Sequence, residues 1–225
     1  MKFLAFDSST EQLSVAVGVG ELVYFNQEMA GQNHSLRLMP MINQTLVEAG
    51  LDLQDMDGIC FGSGPGSFTG LRIACGMAQG LALGMGLKVA PVSTLLALAE
   101  LAGVQKVVAA IDARMGEIYL GAYERINGIW KVGLGPGVYA PQSVPALSGN
   151  GWVAIGNGFD HYPEVTEMYG PQLISIRAGE YPHAREVLLL GREQFMRNEQ
   201  VDAADAAPVY IRNKVALKMS ERSKR

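Results

Sequence analysis

The feature that most constrains what this chain can fold into is an internal repeat. Residues 3–7 (Phe-Leu-Ala-Phe-Asp) are an apolar run closed by a carboxylate, and residues 107–112 (Val-Val-Ala-Ala-Ile-Asp) are another. Shortly after each aspartate a strand-like segment begins, at Gln12 in one case and Glu117 in the other, separated by the same interval in sequence as the aspartates themselves. A third strand at 22–28 has its counterpart at 128–132. The strand and glycine-rich loop at 59–66 are mirrored by Trp152–Ile155 followed by Gly156-Asn157-Gly158. Helical periodicity and capping residues place helices over 34–49, 67–85, from Ser93 to Gly103, and 183–197. The pattern predicts an α/β chain made of two β-β-β-α-β-α units that join near residue 103. The units are an N-terminal half at 1–103 and a C-terminal half at 104–213, with a flexible tail at 214–225.

Composition narrows the class. Of the 225 residues, 48% are apolar, enough at this length to bury a sizeable core. No apolar run reaches a membrane span, since the longest candidate, 73–90, is interrupted by Gly76, Gln79, Gly80, Gly84 and Gly86 before Lys88. Asp7 stands where a signal peptide is still apolar, and two cysteines make no disulfide framework. The chain reads as cytoplasmic. A net charge of −4 argues against a generally basic nucleic-acid binder. The end is the exception, with Arg212, Lys214, Lys218, Arg222, Lys224 and Arg225 against Glu221 alone. Such a tail is a frayed terminus or a phosphate tether.

Searching for chemistry leaves few candidates. Gly62 to Arg72 follows a strand and opens a helix, the geometry that binds anions, with Ser67, Thr69 and Arg72 as ligating groups. It lacks the lysine of a phosphate loop and the third glycine of a dinucleotide fingerprint, so Ser67 reads equally as an N-cap. Asp7 and Asp112, at equivalent strand ends, are expected to face one cleft, where such a pair holds a divalent cation under a nucleotide. The plain structural reading is that each caps its own turn. His34, His161 and His183 have no metal-ligand spacing, and Cys60 and Cys75 read as inert core thiols.

The run Gly-Pro-Gly-Ser-Phe-Thr-Gly-Leu-Arg at 64–72 closely resembles the signature of the TsaB (YeaZ) family. Phe6-Asp7-Ser8-Ser9-Thr10, His34-Ser35, Ala78–Ala82, Pro91–Ala99, Asp112-Ala113-Arg114 with Glu117-Ile118-Tyr119, and Pro208–Asn213 match it too. The resemblance spans 1–213 and is loose over 124–207. It implies the two-halved α/β architecture of the actin, heat-shock ATPase and sugar kinase superfamily, with mixed sheets flanked by helices. It also implies a non-catalytic partner and activator of TsaD, which transfers threonylcarbamoyl to the adenosine beside the anticodon of tRNAs reading codons that begin with A. A homodimer in isolation, TsaE in the assembled complex and tRNA reached through that complex are further implications. No cofactor is expected on the subunit alone, and ATP and a divalent metal belong to the assembly.

The alternative is a stand-alone nucleotide-dependent kinase or ATPase of the same superfamily, working through Asp7 and Asp112. A metalloprotease-like activity lacks ligand spacing. The implied docking site falls on two small-residue stripes of the helix at 67–85, one of them Gly76, Gly80 and Gly84 and the other Gly70, Ala74, Ala78 and Ala82. One stripe is expected to pack on the protein's own sheet and the other to admit a partner helix. The patch is drawn from Ile73, Gly76, Met77 and Gly80 with Leu38, Met39, Met41, Ile42, Thr45 and Leu46 of the helix at 34–49.

Overall fold

A computed structural model describes residues 1–212. The basic segment 214–225 lies outside the described residues. The first half opens with the expected meander, β1 (Lys2–Asp7), β2 (Gln12–Val19) and β3 (Leu22–Met29), followed by α1 (His34–Ala49). Then come β4 (Gly58–Gly64), α2 (Phe68–Met85), β5 (Lys88–Ser93) and α3 (Thr94–Ala102). The second half repeats the strand order with β6 (Lys106–Asp112), β7 (Ile118–Ile126), β8 (Ile129–Tyr139) and β9 (Trp152–Gly156), but a single 3-10 turn at Pro141–Ser143 stands where the predicted unit has its first helix. Two short helices follow, α4 (Gly158–His161) and α5 (Pro163–Tyr169), then β10 (Leu173–Ala178), α6 (Ala184–Met196) and the two-residue β11 (Val201–Asp202). The sheets run β11-β5-β4-β1-β2-β3 and β10-β9-β6-β7-β8, each mixing an antiparallel meander with parallel crossover strands. Among the described residues no helix is long and apolar enough to cross a membrane.

Each helix end has a local cause. Ser67 and Ser93 accept N–H bonds from Gly70 and Leu96 as N-caps, and α1, α2 and α3 stop at Gly50, Gly86 and Gly103 in left-handed conformations. Three strands go beyond the predicted unit: β5, β10 and the two-residue β11. Pro91 disguises β5, because proline donates nothing to a ladder. It is tolerated because β11 pairs with β5 only at Val89 and Lys88, so Pro91 lies past the end of that neighbour. β10 is an edge strand with three of its six residues in a row exposed, which hides its pairing in a polar-looking stretch.

The helical layers do not follow the halves. The first sheet packs α1 and α2 on one face, through Leu4, Phe6, Val15, Ile59 and Phe61. On its other face, Phe3, Ala5, Cys60 and Ala90 are covered by α6, which the sequence assigns to the second half. Reciprocally, α3 follows β5 of the first sheet and buries Leu95, Leu98 and Ala99 against Val107, Ala109 and Ile155 of the second. The turn at Gly103 thus separates the sheets except for β11, which returns to the edge of the first, while each sheet borrows a helix from the far segment.

The α6 contact is close. A β-carbon on Gly191 would overlap Cys60 Sγ and Cβ. Gly191→Ala should therefore lower unfolding free energy by about 1–3 kcal/mol despite alanine's better helix propensity, read from the chemical-denaturation midpoint.

Candidate functional site

The aspartate that ends β1 is fully buried. Asp7 Oδ1 accepts the Ser9 amide at 3.0 Å and Ser9 Oγ at 2.7 Å. Its Oδ2 has no hydrogen-bond partner among the described residues and lies where a β-carbon on Gly62 would be. Burial outweighs the two hydrogen bonds and pushes this carboxyl up to about 6. The following turn seats the glycine-rich loop. The Ser67 amide donates to Ser9 O at 2.7 Å, and Ser8 Oγ donates to Gly70 O at 2.9 Å. A side chain at Gly66 or Gly70 would strike these serine carbonyls, so the motif is glycine-rich because two backbones touch there. Thr94 Oγ1 holds the Pro65 carbonyl from the other side. Anion-binding donors at the start of α2 are partly spent on these internal contacts.

The second half repeats the scheme with a more open carboxylate. Asp112 Oδ1 accepts the Arg114 amide and the Tyr162 hydroxyl, each at 2.9 Å. Arg114 Nη1 lies 3.2 Å from its Oδ2. The Asp112 amide donates to Asn157 Oδ1 at 3.1 Å, which ties β6 to the loop after β9. Burial and the bond to Asp112 push the Tyr162 phenol up to about 12. Each aspartate therefore accepts the amide two residues on, the turn-capping geometry.

Between the halves is a cleft of about 640 Å³. Ser67, Thr69 and Asp112 line it; Asp7 and Arg72 do not. The expected pairing of Asp7 and Asp112 across one cleft is thus not present, because Gly62 and the Ser8–Ser9 turn enclose Asp7. Arg72 is drawn away by aromatic neighbours, its Nε donating to Tyr210 Oη at 3.0 Å and its guanidinium 3.8 Å from the Phe68 ring centre. Among the described residues no group of three or more histidines, cysteines and carboxylates is placed to hold a metal ion. Sequence reasoning missed the cleft's other polar walls, Glu11, Asn157 and the segment 209–212. The repeat offered a signal for Asn157, which sits in the loop equivalent to 62–66.

The expected partner patch separates into two parts. Leu38, Met41, Ile42, Thr45 and Leu46 are buried in the first half's core and present no surface. They turn inward because they continue the apolar stripe of α1 onto the sheet. Met39, Ile73 and Met77 are half-buried, and Gly76 and Gly80 are exposed. On α2, Gly70, Ala74, Ala78 and Ala82 are the buried stripe, whereas β-carbons on Gly76, Gly80 and Gly84 would meet nothing within 4 Å among the described residues. The outer faces of α1 and α2 add Leu36 (73% exposed), Val47 (78%) and Leu83 (78%).

Duplicated halves, each with a turn-capping aspartate at the end of its first strand, reciprocal helices and a cleft between the halves define an α/β protein of the actin-like ATPase type. Residues 25–218 match the family model described as TsaD, tRNA N6-adenosine threonylcarbamoyltransferase. The chain is 40% identical to the tRNA threonylcarbamoyladenosine biosynthesis protein TsaB of Escherichia coli (strain K12), over 97% of each chain. It is 36% identical to the TsaB protein of Haemophilus influenzae, over 97% of this chain and 96% of that one. YeaZ from Pseudomonas aeruginosa superposes with a TM-score of 0.84 at 37% identity, covering 93% of this chain and 99% of that chain. The chain belongs to the TsaB (YeaZ) family, within the wider group that the TsaD model describes.

The buried Asp7 makes a pH prediction. Its folded pKa is raised, so its contribution to stability is greatest below the unfolded value and is lost as pH rises toward about 6. The stability of the wild type relative to Asp7→Asn should fall by on the order of 2–3 kcal/mol between pH 4 and pH 7, measured by urea unfolding at each pH.

Proposed function

We propose that this chain is the non-catalytic partner and activator of TsaD in the synthesis of N6-threonylcarbamoyladenosine beside the anticodon of tRNAs that read codons beginning with A. The names of its relatives place them in that biosynthesis. The observation that carries the reading here is the outer face of α2, where three glycines at four-residue spacing are open to solvent beside exposed Leu83. Glycine in a helix interior costs about 1 kcal/mol relative to alanine. Internal packing does not account for that cost, because among the described residues nothing lies within 4 Å of where their β-carbons would be. A partner helix at close approach does.

The same face serves a second copy of the chain when TsaD is absent, so homodimer and TsaD complex exclude one another. TsaE joins the assembled complex, tRNA is reached through it, and ATP and a divalent metal act there in the cytoplasm. A kinase or ATPase reading needs two carboxylates in one cleft, and the enclosure of Asp7 weighs against it.

Gly80→Arg adds its side chain into open space, so the monomer should keep its circular dichroism and melting behaviour. It should lose self-association by light scattering and TsaD by co-elution. A folded variant that still binds TsaD at wild-type affinity would place the contact elsewhere. By contrast, Gly76→Ala and Gly80→Ala should each stabilise the monomer by up to about 1 kcal/mol. In reconstitution with tRNA and threonylcarbamoyl-adenylate, product should form only once TsaD is added. Product from this chain alone would overturn the reading.

A further inference from the structure

The last described residues cross from one half to the other over the mouth of the cleft. At the first half, the Ala206 carbonyl accepts Gln79 Nε2 at 3.0 Å, and the Val209 amide donates to Ser63 O at 2.7 Å. Tyr210 lies against Phe68, with ring centres 5.2 Å apart, and accepts from Arg72. Two residues later the segment is fixed to the second half. Arg212 pairs with Glu117, donates to the Arg114 carbonyl at 3.2 Å and lies over the Tyr119 ring.

The turn that receives Arg212 is unusual. Arg114, Met115 and Gly116 all have positive φ, at 61°, 59° and 77°. Two consecutive non-glycine residues in this region are strained, and such strain persists only where surrounding contacts hold it. Here the Arg114 carbonyl accepts both the Glu117 amide, at 3.2 Å, and the Arg212 guanidinium. The same turn carries the Arg114 side chain across the cleft to Glu11, in the turn between β1 and β2. Strap, strained turn and cross-cleft ion pair therefore share one residue.

The geometry points to a two-state latch. With residues 206–212 docked, the 114–116 turn is held left-handed and Arg114 ties the second half to Glu11. When this segment leaves, the turn relaxes, Arg114 parts from Glu11, and the cleft widens. The hinge is the pair of sheets moving about the packed α3 and α6, which keep the halves joined. The latch operates within this chain and does not depend on which partner covers α2.

Hydrogen exchange on the full chain tests the coupling. The reporters are the Val209 amide for the strap, and the Ala113 and Glu117 amides, which bond within the turn. Arg212→Ala should speed exchange at all three by about tenfold or more, with α6 and β1 amides unchanged. Met115→Gly relieves the strain but also removes the Met115 Sδ that Arg212 Nη1 meets at 3.6 Å. Through the coupling it should slow exchange at Ala113 and Glu117 and, despite that lost contact, also at Val209. Spin labels at Gln32 and Glu167 should report a longer, broader distance in Arg212→Ala than in the wild type. The proposal is overturned if Arg212→Ala frees Val209 while the turn amides keep wild-type rates. It is equally overturned if Met115→Gly protects the turn and leaves Val209 unchanged. Should Arg212→Ala loosen the whole fold, the Met115→Gly result alone decides.

Discussion

The structure depends on the contact between the turn after β1 and the loop that opens α2. Backbone meets backbone there: Ser9 O takes the Ser67 amide, and Ser8 Oγ reaches Gly70 O. With no side chain on Gly66 or Gly70 to hold the two segments apart, α2 is set at a fixed height over the first sheet, and its small-residue stripe of Ala74, Ala78 and Ala82 can follow the sheet closely. Asp7 completes the seat at the cost of a buried carboxyl whose second oxygen has no partner among the described residues. The loop has the look of a phosphate cradle, yet its glycines answer to the chain's own serines. The second half uses the same device with Asn157 bonding back to β6, and leaves its aspartate at the cleft wall.

Much of this was legible in the sequence, and the reasons differ by element. The duplication showed because an apolar run ending in aspartate is a rare enough pattern to recur with matched spacing. The helix at 34–49 and its limits showed because its apolar stripe and Gly50 agree with one another. What periodicity does not report is the partner of an apolar stripe. Leu38, Met41, Ile42 and Leu46 have the spacing of an interface helix and the spacing of a core helix, and here they are core. The glycine stripe was the better guide to surface, since Gly76, Gly80 and Gly84 are exposed on the outer face of α2.

Long-range contacts were the least legible. Nothing in the local pattern of 183–197 says that it covers Phe3 and Cys60, nor that Arg212 reaches Glu117. Asp7 and Asp112 illustrate the same limit. Their sequence positions are equivalent and both cap their turns, but burial differs because Gly62 closes over one and a solvent-facing arginine flanks the other.

The exchange of helices between the halves has a consequence for how the chain is made. The face of the first sheet formed by Phe3, Ala5, Cys60 and Ala90 is complete once β5 has left the ribosome, while its cover, α6, is still unmade. At roughly 5–20 residues per second the intervening hundred or so residues take on the order of 5–20 s to emerge. Throughout that interval an apolar sheet face is exposed on a nascent chain, inviting other nascent chains to pair with it. Folding of the first half is therefore finished by α6, a helix made well after β5.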